Sequence, residues 1–225
     1  MREVSMSERD TQSNITTAIF DFDGTIIDSS SAVLEVMRKL SVRYRLPVLS
    51  AEDLAEIRTR PLSDRLAILG IPRWKVPFIA RTALRHFSNL MDSFPLYEGM
   101  EELLDELSRT GVTLYILSSN SKKNIRRCLK RHGISSFSAI RTASGLFSKA
   151  RHLKRMMNRF DIDSRNAVYI GDELRDITAA HEAGLPAIAV SWGYDTRELL
   201  VQGDPERIVD SVDDLKTVIQ SGLKA

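Results

Sequence analysis

Residues 18–25 read Ala18-Ile19-Phe20-Asp21-Phe22-Asp23-Gly24-Thr25, a short apolar burst that opens directly into two aspartates, a glycine and a threonine. Similar bursts recur at Leu114-Tyr115-Ile116-Leu117, Ala167-Val168-Tyr169-Ile170 and Ala187-Ile188-Ala189-Val190. Each is partly β-branched or aromatic and ends at small or polar residues. Such runs are expected of parallel strands buried on both faces. Weaker strands are expected near Phe137–Ile140 and Arg207–Val209.

The spacers between bursts carry helical stripes. Met100, Leu103, Leu104 and Leu107 share one face before Gly111. Ile125, Cys128 and Leu129 do so before Gly133, and Leu153, Met156, Met157 and Phe160 follow after Ala150. Ile177 and Ala180 continue the pattern up to Gly184, and residues 212–219 read as a closing helix. Strand–helix alternation predicts an α/β fold, a doubly wound Rossmann-like parallel sheet. From about residue 30 to residue 94 the alternation stops. Helices are expected at Ser31–Tyr44, Ala51–Ile57 and Ser63–Leu69, and at Trp74–Met91 with an early break at Pro77. The expected organisation is a flexible tail over 1–14, a core over 15–29 and 95–225, and an inserted α-helical cap domain over 30–94.

The composition narrows the function. The chain has 225 residues, 43% of them hydrophobic, enough for a sizeable core and too apolar for disorder. Its lone cysteine cannot form an internal disulfide, so a reducing compartment, the cytoplasm, is expected. No apolar run reaches the roughly 20 residues of a membrane helix, and the polar start does not resemble a signal peptide. A net charge of +2 makes no global case for nucleic acid, which is not an expected partner. That figure conceals an asymmetry. Residues 121–160 hold 12 Lys and Arg with no Asp or Glu, leaving 20 basic and 30 acidic residues elsewhere. The block reads first as a solvated face paired with acids. It also reads as a source of positive potential beside an anion site, or as a polyanion-binding surface.

Ligands of open α/β sheets sit beyond the carboxyl ends of the strands. There the sequence places Asp21, Asp23 and Thr25, then Ser118, Ser119 and Asn120, then Asp172, Glu173 and Asp176, with Lys149 opening a helix. Carboxylates form a hard oxygen cage for Mg2+. An aspartate can attack phosphorus, and a second carboxyl can serve as acid and then base. Lysine, hydroxyls and backbone N–H groups can hold the transferring oxygens. Each residue also has a plain reading: Asp and Thr as turn or cap residues, Ser118–Asn120 as a helix cap, Lys149 as a solvated lysine, Asp176 as half of a surface ion pair. Cys128 reads as core, as do Trp74, Phe78 and Phe87. His86, His132, His152 and His181 show no metal spacing.

Asp21-Phe-Asp-Gly-Thr25 after a strand, a strand ending in Ser118, Lys149 in Phe147-Ser-Lys-Ala-Arg, and Gly171-Asp-Glu-Leu-Arg-Asp176 occur in one order. Together they resemble the motifs of the haloacid dehalogenase-like superfamily. Leu96-Tyr-Glu-Gly99 and Ala189-Val-Ser-Trp-Gly193 resemble its phosphoglycolate phosphatase-like branch. The resemblance implies a Mg2+-dependent phosphomonoester hydrolase for a small metabolite, with an aspartyl-phosphate intermediate and phosphoglycolate as the leading substrate. By it, Asp21 is the nucleophile and a metal ligand. Asp23 is the acid/base and gives its backbone carbonyl to the metal. Asp172 is the third ligand, and Asp176 orients the metal's surroundings or reaches it through water. Ser118 and Lys149 hold phosphate, with Thr25 beside them. A gapless count from Gly111 favours the Ser118 hydroxyl, leaving Ser119 to offer its N–H. Asp28 and Ser29 resemble a hinge, and Arg58, Arg60 and Arg65 lie where caps present a specificity loop. Asp23 argues against a dehalogenase, which lacks it, and against the family's ATPases. A sugar-phosphate mutase shares the same core and stays open. A non-catalytic polyanion-binding protein is the remaining reading.

Overall fold

The computed structural model describes residues 14–143 and 148–223. Residues 1–13 of the expected tail and Phe147 of the lysine motif lie outside them. Six strands form one parallel sheet: β1 (Thr17–Phe20), β2 (Thr113–Ser118), β3 (Phe137–Thr142), β4 (Ala167–Gly171), β5 (Ala187–Val190) and β6 (Arg207–Val209). Their order is β3-β2-β1-β4-β5-β6, so the chain starts in the middle and winds to both edges. This is the doubly wound Rossmann-type arrangement.

The apolar bursts are continuous because both faces of the sheet are covered. Ala18, Phe20, Leu114, Ile116, Val168 and Ile170 point into one apolar cluster. Ile19, Tyr115, Leu117 and Tyr169 alternate into the other. Three helices supply the first cluster: α5 (Met100–Arg109), α6 (Lys122–Arg131) and α10 (Val212–Ser221). The second receives α7 (Lys149–Phe160), α8 (Leu174–Ala183) and α9 (Arg197–Val201). Cys128 is fully buried in α6, and burial pushes its thiol up to about 11, which suits a small core residue.

Between β1 and α5 the chain forms α1 (Ser30–Tyr44), α2 (Ala51–Arg58), α3 (Leu62–Ile68) and α4 (Val76–Leu90). Ser50 and Asp53 form a reciprocal capping box that starts α2. Pro77 does not break α4, as the sequence suggests. It lies in the first turn, after a 3-10 turn at Arg73–Lys75, where a missing N–H costs the helix nothing. These helices close on an apolar cluster of their own that includes Val36, Leu40, Ile57 and Ile79. Trp74 and Phe78 do not join it, contrary to expectation, and are 68% and 62% exposed. The inward stripe of α4 runs through Val76, Ile79, Ala83 and Phe87, and Phe78 falls off it.

The insert leaves and rejoins the core at one point. The Asp28 N–H donates to Pro95 O at 2.9 Å and the Tyr97 N–H to Ile26 O at 3.1 Å, with Ile27 bridged to Leu96. Among the described residues, no helix is long and apolar enough to cross a membrane.

Candidate active site

Register brings the motifs together. Phe20 pairs with Ile116 on one side and Ile170 on the other, so β1, β2 and β4 end at the same rim. The N–H of Asp21 continues the ladder to Ile170 O at 2.8 Å. Its carboxylate is buried, accepting from the Phe22 N–H at 2.7 Å and from Lys149 Nζ at 2.8 Å. Lys149, the first residue of α7, also donates to Asp176 Oδ1 at 2.5 Å. Burial opposes its charge, but the Asp176 and Asp21 carboxylates outweigh it and hold the lysine well above its usual range.

Asp172, the residue after β4, is 1% exposed. It accepts from Thr25 Oγ1 at 2.9 Å and from the Tyr194 N–H at 2.8 Å. Two glycines make room for it. A Cβ on Gly24 would lie 2.2 Å from Asp172 Oδ2, and one on Gly193 would lie 2.1 Å from Asp172 Cβ. Gly24 also has φ +78°, in the left-handed region. Carboxylate oxygens of Asp21, Asp172 and Asp176 lie within 4.8 Å of one another. Burial first, then Glu173, Asp176 and Asp21, push Asp172 well above the usual carboxylate range. Oxygen donors this crowded and dehydrated suit a hard divalent cation, which would relieve the repulsion.

The set differs in detail from the sequence reading. Asp176 is fully buried and bound to Lys149, so it is not half of a surface ion pair, and its carboxylate belongs to the acidic trio. Arg175 pairs instead with Glu173. The Asp23 carboxylate is not among the trio. Thr25 is wholly buried and its hydroxyl supports the Asp172 carboxylate.

Asp23 faces Asn120, whose Nδ2 donates to its two oxygens at 3.1 and 2.9 Å. Burial raises Asp23 to about 7, with Asn120 pulling it down and Asp21 pushing it up. Asn120 is itself fixed: Asn124 Nδ2 donates to its Oδ1 at 3.0 Å, and Ser88 Oγ of α4 donates to Asn124 Oδ1 at 2.8 Å. A hydrogen-bonded chain thus runs from the insert to Asp23. The sequence places Asn120 on the rim, two residues beyond the end of β2, and offers it only as a cap residue.

A cavity of about 290 Å³ lies between this rim and the insert, lined on the core side by Asp23, Asp172, Ser119 and Asn120. The two serines stand in different surroundings. The Ser118 side chain is buried, with its Oγ accepting from the Asn120 N–H at 3.1 Å, whereas Ser119 is on the cavity wall. Of the three arginines, Arg58 reaches the cavity, with Nε on Tyr194 O at 2.5 Å and Nη2 on Gly193 O at 2.6 Å. Arg60 is exposed and outside the lining. Arg65 is buried, ion-paired to Asp195 and bound to the carbonyls of Ile57, Arg58 and Arg60, so it fastens the insert to the core and is not among the lining residues. Asp195 completes the link by accepting from the Leu174 N–H at 2.7 Å. The basic block stays away from the cavity: among its described residues only Lys149 reaches the acidic rim, while Arg127 pairs with Asp92.

A parallel α/β sheet with an acidic, lysine-bridged rim and a helical insert after its first strand defines a class of hydrolase. A model of the family described as haloacid dehalogenase-like hydrolase matches residues 18–190. The phosphoglycolate phosphatase of Synechococcus elongatus is 31% identical over 198 residues, covering 88% of this chain and 93% of that protein. The chain belongs to the haloacid dehalogenase-like hydrolase family. It is also similar to pyrophosphatase PpaX of Oceanobacillus iheyensis, at 24% identity over 92% of this chain and 97% of that one. A solved haloacid dehalogenase-like family hydrolase from Streptococcus pneumoniae shares the fold, with a TM-score of 0.75, 22% identity, and coverage of 90% and 97%.

Proposed function

We propose that the protein is a Mg2+-dependent phosphatase of small phosphomonoesters. The observation that carries this reading is a buried, lysine-bound Asp21 followed two residues on by Asp23, which lines the cavity and which burial pushes up to about 7. An Asp21 oxygen forms a bond to phosphorus as the ester P–O bond breaks. The electron pair stays on the leaving oxygen, which takes the proton of Asp23. Asp23 then accepts a proton from water as that water attacks the aspartyl-phosphate, releasing phosphate and restoring Asp21. A pKa near 7 suits a group that must give and then take a proton near neutral pH. Lys149 offsets the charge of Asp21 and in this reading also serves the phosphate oxygens. Ser119 is the better-placed hydroxyl, and Ser118 holds the turn. The ion would be held by Asp21, Asp172 and the Asp23 carbonyl, with Asp176 beside them, and when bound would neutralise phosphate charge. Residues 30–94 act as a cap that excludes water from the cavity.

The reading is tested by phosphate release from p-nitrophenyl phosphate and a panel including phosphoglycolate and pyrophosphate, the substrates named for its relatives. Release of inorganic phosphate supports it. Transfer to a bisphosphate without release would make the protein a mutase.

The acidic rim also predicts a pH-dependent stability. Burial raises Asp23 and Asp176 from 3.8 to about 7, so the fold holds their protons more tightly than the unfolded chain. Their contribution is complete below about pH 4 and is lost as pH rises through about 7. Metal-free protein is therefore expected to melt lower at pH 8 than at pH 5. Mg2+ at a hundredfold over its Kd adds about 2.7 kcal/mol, or roughly 5–10 °C, and at one fixed Mg2+ concentration the shift is larger at pH 8, where protons no longer compete. Thermal melts with and without Mg2+ check this. A larger Mg2+ shift at pH 5 would contradict it.

A further inference from the structure

The cavity has two unlike halves. Its floor is acidic and polar, but the wall supplied by the insert is mostly hydrocarbon, with Ser30 and Arg58 its polar members. Val33, Met37 and Leu40 come from α1, Leu54 from α2, and Leu84 and Phe87 from α4. Met37, Leu54 and Phe87 are only partly buried at the edge of the insert's apolar cluster, so the protein leaves apolar surface turned towards the site.

Charge is distributed against an anionic substrate tail. Among the described lining residues, Arg58 is the sole Lys, Arg or His. Its Nε and Nη2 are engaged by the Tyr194 and Gly193 carbonyls, and its guanidinium lies 5.6 Å from the Tyr194 ring centre. Asp23, Asp172 and Glu173 line the same cavity. A carboxylate at the far end would lose water to meet a single cation, Arg58, two of whose nitrogens are already engaged by carbonyls, a costly exchange. An alkyl or aryl group there would cover surface the wall already offers.

We infer that the site selects phosphomonoesters whose alcohol carries an apolar alkyl or aryl group over those, such as phosphoglycolate, whose alcohol ends in a carboxylate. This rests on the reading that the phosphate end sits at Asp21. The wall then sets the leaving group, and the acidic floor sets the reaction.

The test compares two phosphonates by calorimetry on the Mg2+-loaded protein: 3-phosphonopropionate and n-butylphosphonate. They share a two-methylene stem and end in a carboxylate or an ethyl group. The expected result is at least tenfold tighter binding of n-butylphosphonate. In a longer alkyl series each added methylene should gain about fourfold until the cavity is full. Met37→Lys, at a half-buried position on α1, puts a cation into the wall and is expected to turn the preference towards 3-phosphonopropionate. Equal or tighter binding of 3-phosphonopropionate by the wild type would overturn the inference. So would affinity independent of alkyl length, or no binding of either compound. The alkyl series needs no variant and no turnover. Phosphate release from phenyl phosphate is scored separately: selective alkyl binding without release would uphold this inference and overturn the phosphatase reading.

Discussion

Asp21→Asn is expected to abolish phosphate release, lowering kcat by about 10³-fold or more. The amide is nearly the same size, so the 2.7 Å contact from the Phe22 N–H can persist through the side-chain oxygen. What disappears is the charged oxygen that receives the Lys149 hydrogen bond and, on the proposed reading, attacks phosphorus. A structural role alone would lower the melting temperature and leave turnover of the folded fraction intact. The decisive comparison is thus kcat per folded molecule. Acid-quenched wild type should also carry a phosphoryl group on Asp21, and the variant should not. Turnover close to wild type in folded Asp21→Asn would remove Asp21 as the nucleophile.

Lys149→Met is expected to cost about 10²- to 10³-fold in kcat, the range typical of losing one charge-stabilising donor. The lysine is 6% exposed and bridges Asp21 and Asp176, so its removal leaves two buried carboxylates facing each other. Breaking such a buried pair costs about 3–5 kcal/mol of stability. The variant should therefore melt lower in chelator and recover more than the wild type when Mg2+ is added, because a cation replaces part of the lost charge. Lys149→Arg separates charge from shape: it keeps the positive charge but brings a planar fork into a site built for a compact ammonium. Wild-type kcat in Lys149→Met would show that the lysine serves only the fold.

Much of this was legible along the chain because both faces of the sheet are buried. Ala18 and Phe20 pack one way and Ile19 the other, which turns a central strand into an unbroken apolar run. β3 at the edge is only partly covered and gave a fainter signal. Motifs at strand ends located Asp21, Asp23 and Asp172, since parallel strands in register share one rim, and a helix start located Lys149. Spacing does not carry partners. Asn120 meets Asp23 across 97 residues and Arg65 meets Asp195 across 130, and no periodicity announces either. The serines show the finest limit. At a strand end, one step along the chain turns a side chain to the opposite side, so a count along the chain does not tell which of Ser118 and Ser119 lines the cavity wall. Trp74 and Phe78 show that aromatic content alone does not define a core.

The paired connections at Ile26–Asp28 and Pro95–Tyr97 bear on how such a chain can change over generations. The core itself brings the two ends of the insert together, so the segment between them behaves as a closed loop. Doubling the length of a loop costs only about 0.6 kcal/mol. Helices can therefore be lengthened, traded or replaced in that segment at little cost to the sheet, while the reacting carboxylates stay where they are. One chemical engine can be refitted for new leaving groups by rewriting a single stretch of sequence.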